Sequence, residues 1–355
     1  MSSNVSGETR SFALPGAFPL SGGGTLSGVR VAFRTWGVPS KTAILVCHAL
    51  TGSADADSWW RGLFGTGRAF DPASDFIVSS NVLGSCYGTT GPADRPPGGS
   101  VPYGPDFPDV TIDDIVRLQA LLLDHLDVER LSLVIGGSMG AMQAMQWAAT
   151  FPERVEAIAP IAVGAAQSAW ALALSEAQRA AIVGDPRFRG GRYQPTFPPA
   201  DGLATARMIA MASYRSPHEF STRFGRVRDG EAYGVQSYLR HQGRKLVDRF
   251  DANSYLTLIA AMDSYDLSDQ VAKIDTPVLV VGISSDVLYP ASEVRALAAT
   301  LPHAEFALLN APQGHDAFLI ETAPLNRIVT AFRKRLAAGW RPSPAADRGR
   351  GAAWA

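Results

Sequence analysis

The chain has 355 residues, 46% of them hydrophobic and 18% charged, enough for one large domain or a domain carrying an insertion. Its 32 basic and 33 acidic residues leave a formal net charge of −1 with no basic stripe, which argues against nucleic acid or an anionic membrane surface as partner. Two cysteines, Cys47 and Cys86, exclude a disulfide framework and lack metal-ligand spacing; no apolar run is long enough for a membrane span and the first residues carry no signal-like pattern, so a cytoplasmic protein is expected.

In chain order, short apolar runs bounded by turn residues predict strands at 29–33, 43–46 and 76–78. A helical pattern follows at 112–126, then a strand at 131–135, a helix at 141–150 and a strand at 157–161. From 166 to 270 the pattern changes to helical segments rich in Ala, Arg and Tyr without a clear strand, and strands resume at 278–281 and 306–309. Apolar strands alternating with helices predict a mainly parallel sheet with helices on both faces. The expected organisation is a core from 1–165 and 271–340, an inserted helical cap or lid at 166–270, and a disordered tail at 341–355 marked by Pro342, Pro344 and Asp347-Arg348-Gly349-Arg350-Gly351.

Gly136-Gly137-Ser138-Met139-Gly140 matches G-x-S-x-G directly between a predicted strand and a predicted helix, the context in which a strained turn presents a nucleophilic serine in the α/β-hydrolase fold. Small residues at Gly136 and Gly140 let the turn close, and the helix N-terminus behind Ser138 favours developing negative charge. In this fold the acid and then the base follow the serine along the chain. His315, in the polar loop Gln313-Gly314-His315-Asp316 after the last strand, is the candidate base, ahead of His303 at a helix end. Asp286, just past strand 278–281, is the candidate acid, ahead of Asp266, Asp269 and Asp275. The amides of Met139 and of Leu50, in His48-Ala49-Leu50-Thr51-Gly52, are the candidate oxyanion hole; His48 itself is read as structural.

A Ser-His-Asp set implies acyl transfer but leaves the acceptor open, since water, an alcohol or an amine can each discharge the acyl-serine. Five separated segments together narrow it: His48 to Gly52, Asn81 to Pro92, Gly137-Ser138-Met139-Gly140-Ala141-Met142-Gln143, Ser213-Tyr214-Arg215-Ser216-Pro217 and Gly314-His315-Asp316-Ala317-Phe318-Leu319. In this order, within about residues 25 to 335, they resemble the homoserine O-acetyltransferases. The resemblance implies a ping-pong reaction in which Ser138 takes acetyl from acetyl-CoA, a co-substrate rather than a bound cofactor, and passes it to the hydroxyl of L-homoserine for methionine synthesis. It also implies that Arg215 binds the amino-acid carboxylate and Asp316 its ammonium group, and that the protein is a homodimer joined through the helical insertion. Tyr238, Arg244 and Lys245 are read as surface or packing groups of that insertion.

Other readings are an L-serine O-acyltransferase with acetyl or succinyl donor, an esterase of the same fold, and a noncatalytic binding protein. The segment Gly84-Ser85-Cys86-Tyr87-Gly88 also resembles serine-acylating relatives, whereas the lack of a cation before Arg179 in the stretch 171–179 favours acetyl over succinyl. No His-Glu-x-x-His, P-loop or dinucleotide fingerprint is present, so no metal and no resident cofactor are expected.

Overall fold

The computed structural model describes residues 8–340; the tail expected at 341–355 lies outside them. Eight strands form the main sheet: β1 (Arg10–Ala13), β2 (Arg30–Trp36), β3 (Thr42–Cys47), β4 (Ile77–Ser80), β5 (Arg130–Gly137), β6 (Ile158–Ile161), β7 (Val278–Ile283) and β8 (Ala304–Leu309), in the spatial order 1-2-4-3-5-6-7-8. From β4 to β8 every neighbouring pair is parallel, while β1–β2 and β2–β4 are antiparallel. All seven strands read from the sequence are present. The edge strand β1 was not among them, because its alternating, mostly exposed residues Arg10 to Ala13 carry no apolar run.

Successive side chains of one strand point to opposite faces, and the central strands therefore feed two cores. Leu45, Val78, Val134 and Val280 enter one, and Ile44, Ile77, Ile135 and Val281 enter the other. Helices α1 (Ile112–His125) and α2 (Met139–Thr150) cover the first core through Ile115, Val116, Met142 and Trp147. The second is closed by Leu325, Val329 and Phe332 of α9 (Thr322–Ala337). Burial on both faces explains why the strands read as nearly continuous apolar runs.

Five helices lie between β6 and β7: α3 (Ala169–Val183), α4 (Ala200–Tyr214), α5 (Pro217–Phe224), α6 (Gly234–Val247) and α7 (Ala252–Asp263). A two-residue hairpin also occurs there, Arg228–Asp229 against Ala232–Tyr233, in a stretch read as strand-free. The two loop residues are Gly230 and Glu231, and Gly230, at φ +63°, supplies the positive φ that such a turn needs at its first position. Helix α8 (Ala291–Thr300) returns the chain from β7 to β8.

Candidate active site

The carboxyl ends of parallel strands are where an open α/β sheet places its ligands, and the candidate residues converge there. β5 runs straight into Ser138, which sits at φ 56°, ψ −124° before the first turn of α2. A side chain in this region is strained, and two glycines make the turn possible. A Cβ on Gly136 would lie 2.4 Å from the carbonyl carbon of Gly140, and one on Gly140 would lie 2.2 Å from the Cys47 carbonyl oxygen. The nucleophile turn and the end of β3 are thus in backbone contact.

That contact also positions the loop after β3. The His48 imidazole is fully buried, donating from Nδ1 to the Ala49 carbonyl (2.8 Å) and accepting at Nε2 from the Val82 amide (3.2 Å). Burial pushes its pKa down to about 4, against a smaller upward pull from the Ala49 bond. With both nitrogens occupied, His48 is a neutral brace, as its sequence position suggested. Gln143, one turn into α2, donates to the His48 carbonyl (3.2 Å) and accepts from Gln119 (2.9 Å). The amides of Leu50 and Met139, by contrast, donate to no described residue, so both are free to meet an oxyanion.

Asp286 leaves the end of β7 as expected. Its Oδ1 accepts from the amides of Leu288 (2.8 Å) and Tyr289 (3.0 Å), and its Oδ2 holds His315 Nδ1 at 2.7 Å. The His315 loop is fastened from two sides. Gly314 N–H donates to Ser285 Oγ (2.9 Å) and Asp316 N–H to the Tyr214 carbonyl (3.0 Å), while Ser216 donates to the Pro312 carbonyl. The imidazole is 2% exposed and packed by Tyr214, Tyr289 and Phe318. Burial lowers its pKa, but the Asp286 charge and hydrogen bond, helped by Asp316, carry it above the ordinary histidine value. His315 Nε2 has no partner among the described residues. The rejected alternative, His303, sits instead beside Asp275 at 2.9 Å.

Ser138, His315, Asp316 and Leu50 line one cleft of about 590 Å³. A cleft of about 700 Å³ opens elsewhere, between Arg130, Glu156, Asp275 and Trp340, but Ser138, Asp286, His315 and Asp316 do not line it. Three cations from the stretch between β6 and β7 line the active cleft: Arg207 on α4, Lys245 on α6, and Arg249 just after it. Arg249 is committed, donating to the Thr51 carbonyl (2.7 Å) and to the Tyr87 hydroxyl. Arg207 and Lys245 form no ion pair or hydrogen bond with a described residue. Arg207 lies over the Tyr214 ring, its guanidinium carbon 5.5 Å from the centroid.

Arg215 stands next to the cleft wall, its guanidinium 3.4 Å from Asp316 and 3.7 Å from Glu219, with Nε unpartnered among the described residues. Lys245, read as a packing group, is a wall of the cleft. Asp316 lies on the cleft wall beside the histidine, and burial raises its carboxyl pKa against the opposing charges of Arg215, Arg207 and His315.

The family model described as alpha/beta hydrolase fold matches residues 42–322. A homoserine O-acetyltransferase of Trichormus variabilis is 51% identical over 343 residues, covering 94% of this chain and 96% of that protein. One of Chloroherpeton thalassium is 53% identical over 328 residues, 89% of this chain and 87% of that protein. Among solved structures, the homoserine O-acetyltransferase of Bacillus anthracis superposes with a TM-score of 0.85 at 22% identity over 92% of this chain and 97% of that one, a likeness of fold. Esterase E22 superposes at 0.84 with 26% identity, over 92% of this chain and 99% of that one.

Proposed function

Because the chain belongs to the homoserine O-acetyltransferase family of α/β-hydrolase-fold enzymes, we propose that Ser138, Asp286 and His315 are the triad by which it moves acetyl from acetyl-CoA to the hydroxyl of L-homoserine. The enzyme is an acyltransferase working by a ping-pong route through an acyl-serine, and its product feeds methionine biosynthesis. The observation that carries the residue assignment is His315, clamped to Asp286 at 2.7 Å with Nε2 unpartnered, on the wall it shares with Ser138.

In the first half-reaction His315 Nε2 takes the Ser138 hydroxyl proton as Oγ adds to the thioester carbonyl. The oxyanion lies between the Leu50 and Met139 amides, whose readiness without rearrangement is the main source of rate in such sites. Collapse breaks the C–S bond, His315 returns its proton to the sulfur, and CoA leaves. In the second, His315 deprotonates the homoserine hydroxyl, whose oxygen attacks the acetyl carbon; the C–O bond to Ser138 breaks and the proton returns to Oγ. Asp286, fixed by two backbone amides, holds the imidazole tautomer and stabilises imidazolium.

Asp316 accepts the acceptor's ammonium group. The acceptor's carboxylate is held by arginine in a bidentate pair: Arg215, as the family resemblance implies, or Arg207, the cleft arginine without a partner among the described residues. Release of CoA thiol from acetyl-CoA tests the whole reading: a single-turnover burst without acceptor, continuous turnover with L-homoserine, and neither in Ser138→Ala. Turnover unchanged by L-homoserine would make the protein a thioesterase, and preference for L-serine would move it to the serine-acylating branch.

A further inference from the structure

We propose that the groove between α4 and α6, outside the active cleft, is the binding site for the phosphorylated nucleotide end of acetyl-CoA. The inference rests on the acetyl-CoA reading above and adds a subsite to it.

The donor presents a geometrical problem. Its thioester must reach Ser138, yet the opposite end of its pantetheine arm carries a pyrophosphate and a 3′-phosphate, which need cations and water and therefore a site beyond the buried triad. Helix α4 packs along α6, closely enough that a Cβ on Gly243 would lie 2.8 Å from the Ala204 carbonyl oxygen. Residues three and four apart share a helix face, so Ala200, Ala204 and Arg207 form one row on α4, and His241 and Lys245, continued by Arg249, form one on α6. The inner ends of both rows, Arg207 and Arg249, line the active cleft. The outer ends, Ala200, Ala204, His241 and Arg244, line a second open groove of about 620 Å³. Lys245 lines both, so the groove and the cleft meet at its side chain.

Charge points the same way. His241, Arg244 and Lys245 are exposed and form no ion pair with a described residue, whereas many arginines of this surface are paired, among them Arg179 with Asp263 and Arg192 with Asp106. Two carboxylates also line the groove: Asp201, paired with Arg187, and the exposed Asp248 one turn beyond Arg244. Small Ala200 and Ala204 leave the floor flat. The result is a path of positive charge from open solvent to the serine, with Lys245 at the bend.

The test uses the full chain and two donors, acetyl-CoA and S-acetylpantetheine, which carries the same thioester without the nucleotide or its phosphates. In the double variant His241→Gln/Arg244→Gln, the KM for acetyl-CoA is expected to rise about tenfold, the loss of charge-assisted phosphate contacts. The kinetics with S-acetylpantetheine and the KM for L-homoserine are expected to stay as in the parent, which also shows that the variant is folded. Raising salt should weaken acetyl-CoA use by the parent more than by the variant. An unchanged KM for acetyl-CoA, or an equal rise for both donors, would overturn the proposal. Failure of the unaltered protein to accept acetyl from acetyl-CoA at all would instead strike the functional reading on which it rests.

Discussion

At the residue scale, the chemistry depends on which groups are charged. His315 works as a base only when neutral, and its pKa lies above the ordinary 6.5 because Asp286 outweighs burial. Acyl transfer is therefore present above that raised value and lost as pH falls through it. The burst of CoA release should show an acid limb centred above 6.5, and Asp286→Asn should move the midpoint down while slowing the burst about 10⁴-fold, as expected when the tautomer is no longer held. A midpoint that stays put in Asp286→Asn would remove Asp286 from the triad. Asp316 has the opposite problem: burial favours its neutral form, and a neutral carboxyl cannot hold an ammonium ion. Arg215, 3.4 Å behind it, opposes that shift. In Arg215→Gln, kcat/KM for L-homoserine should drop about tenfold, with its acid limb displaced upward, while the acceptor-free burst keeps its rate; Arg215→Lys should recover part of the loss. A burst that falls in parallel would mean that Arg215 only holds the histidine loop. Ser138, Asp286, His315 and Asp316 were legible in the sequence because each lies in a local pattern or directly after a strand. Arg207 was not, since its place in the cleft is set by how α4 docks, a long-range fact for which the four-residue spacing of Lys245 and Arg249 is only a faint sign.

At the scale of elements, the strands were legible because those buried on both faces announce themselves as apolar runs. The helix after the nucleophile was read from 141 but begins at Met139. Glycine is a poor helix former, so Gly140 hid the first turn, and its reason for being there is tertiary: the helix backbone approaches the Cys47 carbonyl too closely for any side chain. Gly140→Ala gives this a measurable consequence. The added methyl must push β3 and the His48 loop away, costing about 1–3 kcal/mol in melting or denaturant experiments. Displacing the Leu50 amide should also lower the burst rate by about 10²-fold, the usual cost of losing one oxyanion donor. Stability lost without loss of burst rate would show that the hole does not depend on this contact.

At the scale of the molecule, the main sheet carries Ser138, Asp286 and His315, and the stretch between β6 and β7 brings Arg207, Lys245 and Arg249 to the same cleft. The stretch between β6 and β7 also exposes apolar surface. Trp170, Leu172, Val183, Phe197 and Val227 all stand more than a third exposed, and Leu172 and Val183 are eleven residues apart on α3, three turns along one face. Apolar side chains aligned on one helix face mark an interface more often than scattered ones do, and a symmetric pairing of identical faces is the commonest closed assembly. A homodimer joined through α3 is therefore the expected state. Light scattering on a sizing column should return twice the 37.7 kDa chain mass, and Leu172→Glu/Val183→Glu should halve it, because two carboxylates per chain would be buried against their own copies. The acceptor-free burst reports on the triad alone, and it should survive in that variant. A parent protein that elutes at the monomer mass at micromolar concentration would leave this face without a role in assembly.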